Sequence, residues 1–423
     1  MSGVELVTLG CRLNIAESDA IGRLLAAETN LVVVNSCAVT AEAVAETRKA
    51  IRRARRTRPA ARLLVTGCAA RIDPASFSAM PEVDGLIDNL RKTDAETWGI
   101  ALPAAALQRT THTRAHIPVQ NGCDHACTFC IIPAGRGPSR SLPAGAVIDA
   151  VAAAVDAGAR EVVLTGVDLT SYGPDLPGQP TLGRLVERIL AHVPALPRLR
   201  LSSLDSIEID DRLFELVTQE PRIAPHLHLS LQAGDEMILK RMKRRHSRAQ
   251  SVAIVDRLKT ARPEIAIGAD LIAGFPTETE AMAANSRALI ADCDIVFGHI
   301  FPYSPRPGTP AARMPQLDRA TIKARAAALR ALAEARRHAW LDTLISSRQM
   351  VLVERDGHTD HAANFAKVLV RHPGESRDPE PRMTPPVALD PGAGRDGEAN
   401  LANTLLPVRI AARDGDTLIG ISA

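Results

Sequence analysis

"QNGCDHACTFCIIPAGRGPSRS", residues 120–141, sets Cys123, Cys127 and Cys130 within eight positions and follows them with Arg136 and Arg140. The spacing C-x3-C-x2-C supplies one thiolate fewer than a closed structural zinc site requires. His125 offers a fourth donor, but it stands between two of the cysteines, where reaching the same ion is awkward. An iron–sulfur cube held by three thiolates fits better, because it leaves one iron open to a further ligand. An open iron on a loop is what a catalytic cluster requires.

The loop follows "AHIPVQ", the first of six strand-like runs; the others are "EVVLTG", "RLRLSS", "HLHLSLQ", "AIGADLIAG" and "DIVFGHIFPYS". Each of the first five is followed by a segment able to form a helix. Six βα units in about 200 residues fit a partial barrel better than a small doubly wound sheet. A long Ala/Arg/Leu helix, expected at 317–345, closes this region.

Upstream, "VELVTLG", "LVVVNS" and "RLLVTG" read as strands, and "AESDAIGRLLAA" and "AEAVAETRKAIRRARR" between them have helical spacing. That alternation predicts a parallel sheet in an α/β domain. "LPAAALQRTTHTRAH" has no clear period and reads as a linker. Downstream, "RQMVLVERDG", "FAKVLVRH" and "TLLPVRIAARDGDTLIGISA" are short strands with Asp-Gly turns, as in a small β-barrel. A stretch at about 372–399, rich in Pro, Gly and charge, interrupts them and is expected to be disordered. The expected domains are therefore 1–110, 111–345 and 346–423.

Apolar residues make up 46% of the 423 and aromatics only 3%, so the cores must be built mainly from Ala, Leu, Val and Ile. No run of 18 apolar residues is present, which excludes a membrane-spanning helix. The first residues are acidic and strand-like, unlike a signal peptide, so a cytoplasmic location with reduced thiols is expected. Seven cysteines, an odd number, disfavour a disulfide framework. The net charge of +3 is small but unevenly spread, and "RKAIRRARRTR", residues 48–58, holds basic residues and no acid.

Three further cysteines occupy one topological position. Cys11 follows "VTLG", Cys37 follows "VVVNS" and Cys68 follows "LLVTG", each just past the C-terminal end of a predicted parallel strand. Those ends lie along one edge of such a sheet, where ligands bind, so sulfurs scattered in sequence can converge in space. Cys293, beside an apolar strand, reads as core packing.

The C-x3-C-x2-C loop, with Phe129 before its last cysteine, resembles the signature of radical S-adenosylmethionine enzymes. Together with "LGCRLN", "VNSCAVT" and "VTGC", it is similar to the methylthiotransferases of that class over essentially the full chain. The resemblance implies one [4Fe–4S] cluster on Cys123, Cys127 and Cys130, and a second, sulfur-carrying cluster on Cys11, Cys37 and Cys68. In such enzymes one S-adenosylmethionine donates a methyl group and a second is cleaved to a 5′-deoxyadenosyl radical. By their places at strand ends, Gly166, Val167, Ser202, Ser203, Ser230 and Gln232 are candidate cofactor contacts, with Asp205 a weaker one. Phe129 is a candidate neighbour of the cofactor, and Arg241 a candidate partner for its carboxylate. A TRAM-like terminal barrel that binds RNA, and an electron donor such as a flavodoxin or ferredoxin, are also implied.

Methylthiotransferases divide between tRNA adenosines and a ribosomal-protein aspartate. "TLGCRLNIAESDAI", "CTFCIIPAGRGPSRS" and "FPYSPRPGTPAARM" most resemble the MtaB-type branch, which acts on N6-threonylcarbamoyladenosine at tRNA position 37. Isopentenyladenosine in tRNA, a protein side chain, and a non-catalytic Fe–S RNA-binding role are the alternatives. Basic residues point to RNA independently: Arg52, Arg53 and Arg56 on the basic helix would meet phosphates, and Arg136 and Arg140 would meet an incoming nucleotide.

Overall fold

The structure, a computed structural model, describes residues 3–100, 113–354, 360–371 and 402–422. Most of the expected linker and the insert expected at 372–399 lie outside the described residues. The chain divides into two compact units, Met1–Arg337 and His338–Ala423.

The first unit begins β1 (Glu5–Thr8), α1 (Arg12–Leu24), β2 (Leu31–Ser36), α2 (Ala41–Thr57), β3 (Arg62–Gly67), α3 (Cys68–Ile72), α4 (Pro74–Ser78) and β4 (Gly85–Leu86). The four strands form one parallel sheet in the order β1-β2-β3-β4. β2 is buried along its whole length because both faces are covered, as parallel sheets require. Val32 and Val34 pack with Ile51 and Ala54 of α2, while Leu31 and Val33 pack with Ile21 and Leu25 at the end of α1. In α2 the Thr40 hydroxyl accepts from Ala43 N and caps the helix. Only Thr47, Ile51 and Ala54 of α2 are buried, a stripe at helical spacing that leaves the arginines between them facing out.

β5 (Ala115–Pro118) starts the six-strand region. A two-residue antiparallel pair, β6 (Gln120–Asn121) with β7 (Arg140–Ser141), pins the two ends of the cysteine loop, which contains the short α5 (Ile132–Arg136). Then follow α6 (Ala144–Asp156), β8 (Val162–Thr165), α7 (Leu182–His192), β9 (Leu199–Leu201), α8 (Asp211–Gln219), β10 (His226–Gln232), α9 (Glu236–Met242), α10 (Arg248–Ala261), β11 (Ala266–Ala273), α11 (Glu280–Asp292), β12 (Ile295–Pro302) and α12 (Arg319–Thr343). Two parallel three-strand sheets, β5-β8-β9 and β10-β11-β12, are joined by parallel bridges from Leu199 to Ile223 and from Leu204 to Leu229. The six strands thus run in chain order as a partial barrel. Thr181, Asp210, Ser247 and Thr279 cap α7, α8, α10 and α11 through their side-chain oxygens.

Period-2 alternation decides what faces the inside of this barrel. In β10, Leu227, Leu229 and Leu231 join the hydrophobic core beneath the helices, so His226, His228, Ser230 and Gln232 take the opposite face. In β11, Ile267, Ala269, Leu271 and Ala273 do the same, and Gly268 and Asp270 face inward. Cys293 is fully buried in that core, as its neighbours suggested.

In the second unit, β13 (Arg348–Leu352), β14 (Asp360–Ala362), β15 (Lys367–Arg371), β16 (Leu405–Asp414) and β17 (Thr417–Ser422) close into a barrel in the order β13-β14-β15-β17-β16. Gly415, with φ 53°, turns β16 into β17. The three-residue β14 was not legible in the sequence, being too short to show alternation. No helix among the described residues is long and apolar enough to cross a membrane.

Candidate cluster and cofactor site

The N-terminal sheet delivers its three cysteines to one edge. Cys11 sits at the N-cap of α1, Cys37 follows β2 directly, and Cys68 opens α3 directly after β3. The parallel register, with Thr8 opposite Asn35 and Ser36 opposite Gly67, sets these three turns side by side. Two glycines make the turns possible. Gly10 (φ 94°) would place a β-carbon 2.7 Å from Cys37 Sγ, and Gly67 (φ 95°) would place one 2.3 Å from Ser36 O. Burial raises the Cys37 thiol, and the nearby Cys11 and Cys68 raise it further. Burial also raises Cys68, against the pull of the Arg136 and Lys92 cations. Asn89 Nδ2 donates to Cys68 Sγ at 3.8 Å and to Gly135 O at 2.6 Å, tying this edge to the second cysteine loop.

That second loop is anchored through Thr128, whose N–H donates to Met242 O at 3.1 Å and whose hydroxyl donates to Arg241 O at 2.7 Å. Each of its sulfurs accepts an N–H bond: Cys123 from His125 N at 3.5 Å, Cys130 from Ile132 N at 3.5 Å, and Cys127 from Arg244 Nη1 at 3.6 Å. Such N–H···S bonds stabilise iron-bound thiolates, so this donor set fits an iron–sulfur cluster. All seven cysteines are free thiols. In the cluster-free protein burial pushes Cys123 up to about 12 and Cys130 up to about 11, so loading a cluster must expel protons.

Cys11 and Cys37 of the first set and all three cysteines of the second wall adjoining cavities at the C-terminal ends of the barrel strands, while Cys68 is buried behind them and walls none. A cavity of about 140 Å³ is walled by Cys123, Cys127 and Cys130 together with Phe129, Val167, Ser230 and Gln232. A larger one, about 460 Å³, is walled by Cys11, Cys37, Gly166 and Ser202. Ser203 lines both. A third, about 200 Å³, shares Phe129 and Gln232 with the first and Val39, Thr40 and Phe301 with the second.

Seven of the eight cofactor candidates read from the sequence therefore wall these cavities, and the turn after β8 is held by Gln120. Gln120 Oε1 accepts from Val167 N at 3.0 Å and Asp168 N at 2.9 Å, and a β-carbon on Gly166 would come within 3.0 Å of the same oxygen. Arg241 is the exception. Its guanidinium donates to Thr277 O at 3.3 Å and walls none of the three cavities. Arg244 instead walls the cavity that holds Cys123, Cys127 and Cys130, after α9 ends at Lys243 in a left-handed conformation (φ 56°). Arg244 Nη2 donates to Asp205 at 2.8 Å and to Ser230 O at 2.8 Å. Burial pushes Asp205 up, but His246, Arg244 and Arg245 outweigh it and hold it at about 2.

Sequence reading also missed Asp168, whose Oδ2 lies 2.6 Å from His125 Nε2 and 3.7 Å from Cys123 Sγ. The hydrogen bond to Asp168 raises the His125 pKa. Asp168 adjoins Val167 in "LTGVD", so its position was visible but its partner was not.

The arginines divide. Arg52, Arg53, Arg56 and Arg140 are exposed, Arg52 with Glu82 at 3.8 Å, while the less exposed Arg55 and Arg58 of the same basic run are tied to Asp84 and Glu5. Arg136 corrects the expectation of a nucleotide contact: it is 2% exposed, and its guanidinium meets Glu17 at 2.8 Å and Asn14 at 2.5 Å. It locks the cysteine loop to α1 instead of facing a ligand.

Residues 117–290 match the radical SAM superfamily, and residues 3–88 match a family described as "Uncharacterized protein family UPF0004". The chain is 45% identical to the threonylcarbamoyladenosine tRNA methylthiotransferase MtaB of Rickettsia prowazekii, over 86% of this chain and 90% of that protein. It is 35% identical to MtaB of Bacillus subtilis, over 74% and 76% of the two chains. A tRNA-2-methylthio-N(6)-dimethylallyladenosine synthase of a Parafrankia species is 32% identical, over 89% of this chain and 82% of that one. Among solved structures, the radical S-adenosylmethionine methyltransferase TsrM from Kitasatospora setae superposes with a TM-score of 0.53 over 74% of this chain and 77% of its own, at 15% identity, a likeness of fold alone. Its relation along most of its length to these enzymes makes the chain a member of the radical S-adenosylmethionine methylthiotransferase family, in the MtaB-type branch.

Proposed function

We propose that the protein is a tRNA-modifying enzyme that adds a methylthio group at C2 of N6-threonylcarbamoyladenosine at tRNA position 37. The observation that carries this reading is the shared cleft: the cavity bearing Cys11 and Cys37 and the cavity bearing Cys123, Cys127 and Cys130 have Ser203 as a common wall. When bound, [4Fe–4S] clusters on the two trios supply an electron to split S-adenosylmethionine and the sulfur to be methylated and inserted. The chain's own residues set the stage for this. Gln120 orients the Val167–Asp168 backbone, Arg244 and the ionised Asp205 fix the wall beside Cys127, and Phe129 and Phe301 give the cleft an aromatic wall. An adenine C2–H is out of reach of any side-chain base, which is why radical chemistry is needed.

Arg52, Arg53, Arg56 and Arg140 supply phosphate contacts, and the second unit acts as a TRAM-like RNA-binding barrel. The enzyme works in the cytoplasm with a flavodoxin- or ferredoxin-type reductant. Its functional divisions are 1–110 for the sulfur-carrying site, 111–345 for the radical site and 346–423 for RNA.

Anaerobic reconstitution tests the reading. Cys127→Ala should abolish reductive cleavage of S-adenosylmethionine, whereas Cys37→Ala should leave cleavage and abolish sulfur insertion into tRNA. Retained cleavage in the first, or retained insertion in the second, refutes the two-site assignment. Methylthio nucleosides absent from tRNA treated with the intact holoenzyme refute the substrate.

A further inference from the structure

The segment "FPYSPRPGTPAARM" runs on from the end of β12, and its Arg306 enters none of the contacts described so far. Arg306 is half-buried, and burial lowers its pKa against the opposing influence of the Cys37 thiol and the Glu42 carboxyl. Neither of these bonds to it: among the described residues, no side chain or backbone oxygen accepts from its guanidinium and no carboxylate pairs with it. Its Nε is closed off from solvent without a partner, whereas the two Nη groups keep open surface. A partly desolvated cation with no counter-charge is costly, so its place calls for an external anion.

The backbone that carries Arg306 is fixed before any ligand arrives. Pro305 and Pro307 enclose it and limit its backbone freedom. Thr309 donates twice to Arg306 O, from its N–H at 3.1 Å and from its hydroxyl at 2.8 Å. Upstream, Tyr303 N–H donates to Ala273 O at 2.8 Å, and Ser304 Oγ accepts from Ala41 N at 3.3 Å. Downstream, Ala311 N–H donates to Thr128 O at 2.9 Å. One short segment thus ties the end of β11, the start of α2 and the second cysteine loop together, with the arginine at their junction.

Its position beside the cavities indicates which anion. Val39 and Thr40, just past Cys37, and Phe301, Tyr303 and Ser304 wall the cavity of about 200 Å³. Arg306 stands two residues beyond that wall and lines none of the three cavities. A base drawn into the cleft leaves its sugar–phosphate at the rim, because a phosphate is not buried among apolar walls without a counter-charge. We infer that Arg306 binds a phosphate flanking the target adenosine and so sets how far the base enters the cleft. The inference rests on the proposed function. A guanidinium meets a phosphate with paired N–H donors, and such a contact fixes register without reading sequence.

The test uses cluster-loaded protein without reductant and fluorescent anticodon hairpins bearing N6-threonylcarbamoyladenosine, with a neutral methylphosphonate at one or the other linkage flanking that nucleoside. For the wild type, one of the two neutral linkages should weaken binding at least about tenfold, as expected for a hydrogen bond to a charged group. Arg306→Gln should weaken the unmodified hairpin by a similar factor, and neutralising the same linkage should then cost it less than about twofold more, since both changes remove one contact. Losses that simply add overturn the contact. So does a wild type that loses less than about twofold with either neutral linkage, a result that needs no variant to fold. A hairpin carrying the methyl ester of the threonylcarbamoyl arm separates the other oxyanion: if esterification, and not the methylphosphonate, abolishes the effect of Arg306→Gln, the phosphate contact is overturned. Methylthio product without the coupling overturns the contact alone, whereas the coupling without methylthio product from the reduced wild type overturns the proposed function and upholds the contact.

Discussion

Replacing Glu17 by glutamine should destabilise the first unit more than any other single change at its buried polar joint. Glu17 is 5% exposed, and its carboxylate lies 2.6 Å from Lys92 Nζ and 2.8 Å and 3.0 Å from the two terminal nitrogens of Arg136. Lys92 also donates to Asn35 Oδ1 at 2.9 Å. Two buried cations therefore share one carboxylate, and glutamine leaves both without a counter-charge. Removing one partner from a buried pair costs about 3–5 kcal/mol. Arg136→Met leaves Lys92 and Glu17 balanced one to one, so its cost is the loss of charged hydrogen bonds, about 1.5–3 kcal/mol. The double variant leaves one unpaired cation instead of two and should be less destabilised than the sum of the single changes.

Urea unfolding of cluster-free protein measures this, followed by Trp98 fluorescence in a Trp340→Phe background. Trp98 is a local probe, since its indole N–H donates to Lys92 O at 2.8 Å. A Glu17→Gln cost below about 1 kcal/mol, or strict additivity, would refute the shared-carboxylate account. The pH dependence has a definite sign. Burial pushes the Glu17 carboxyl up, but Lys92 and Arg136 outweigh it and hold its pKa below the ordinary 4.5. Its stabilisation is therefore full above the unfolded-state pKa and is lost as pH falls through the depressed folded value. Glu17→Gln should remove that acid-side dependence.

Three other outcomes are expected. Gly67→Ala forces a β-carbon against Ser36 O and displaces Cys68, so reconstituted iron should fall from about eight to about four per chain while S-adenosylmethionine cleavage survives; unchanged iron counts against the role of that turn. Arg244→Ala should slow S-adenosylmethionine cleavage by at least about tenfold and Arg241→Ala by less than about threefold, since only the former loses bonds to Asp205, Ser230 and Cys127; the reverse order would restore Arg241 to the site. Changing Arg52, Arg53 and Arg56 together to glutamine should lower the slope of log affinity for tRNA against log salt by about 2–3, at roughly 0.7–0.9 per phosphate contact, and an unchanged slope removes α2 from the interface.

Much of this architecture is local in origin and was open to reading. Alternating apolar runs and helical stripes announced the parallel sheet, the six βα units and the long α12, because burial of both sheet faces leaves a continuous apolar signature in each strand. The "LGC", "NSC" and "TGC" endings placed three thiols at equivalent strand ends, and the C-x3-C-x2-C loop carried its own spacing. The parallel register then made convergence of the first three a consequence of topology.

Side-chain destinations were another matter. Arg136 and Arg140 stand four residues apart on one loop and look alike in sequence, yet Glu17, 119 positions away, draws the first into the interior and leaves the second exposed. Arg241 and Arg244 are separated only by the turn at Lys243, which decides which of them reaches Asp205. The inward polar face of the barrel, with Arg12 supplied by a helix of the N-terminal sheet, exists only once the two regions pack. The sequence by itself determined the elements and the metal-binding chemistry, since both depend on neighbours along the chain. Which charges became buried, and so what lines the cleft, was decided by partners distant in sequence and by the desolvation that tertiary packing alone imposes.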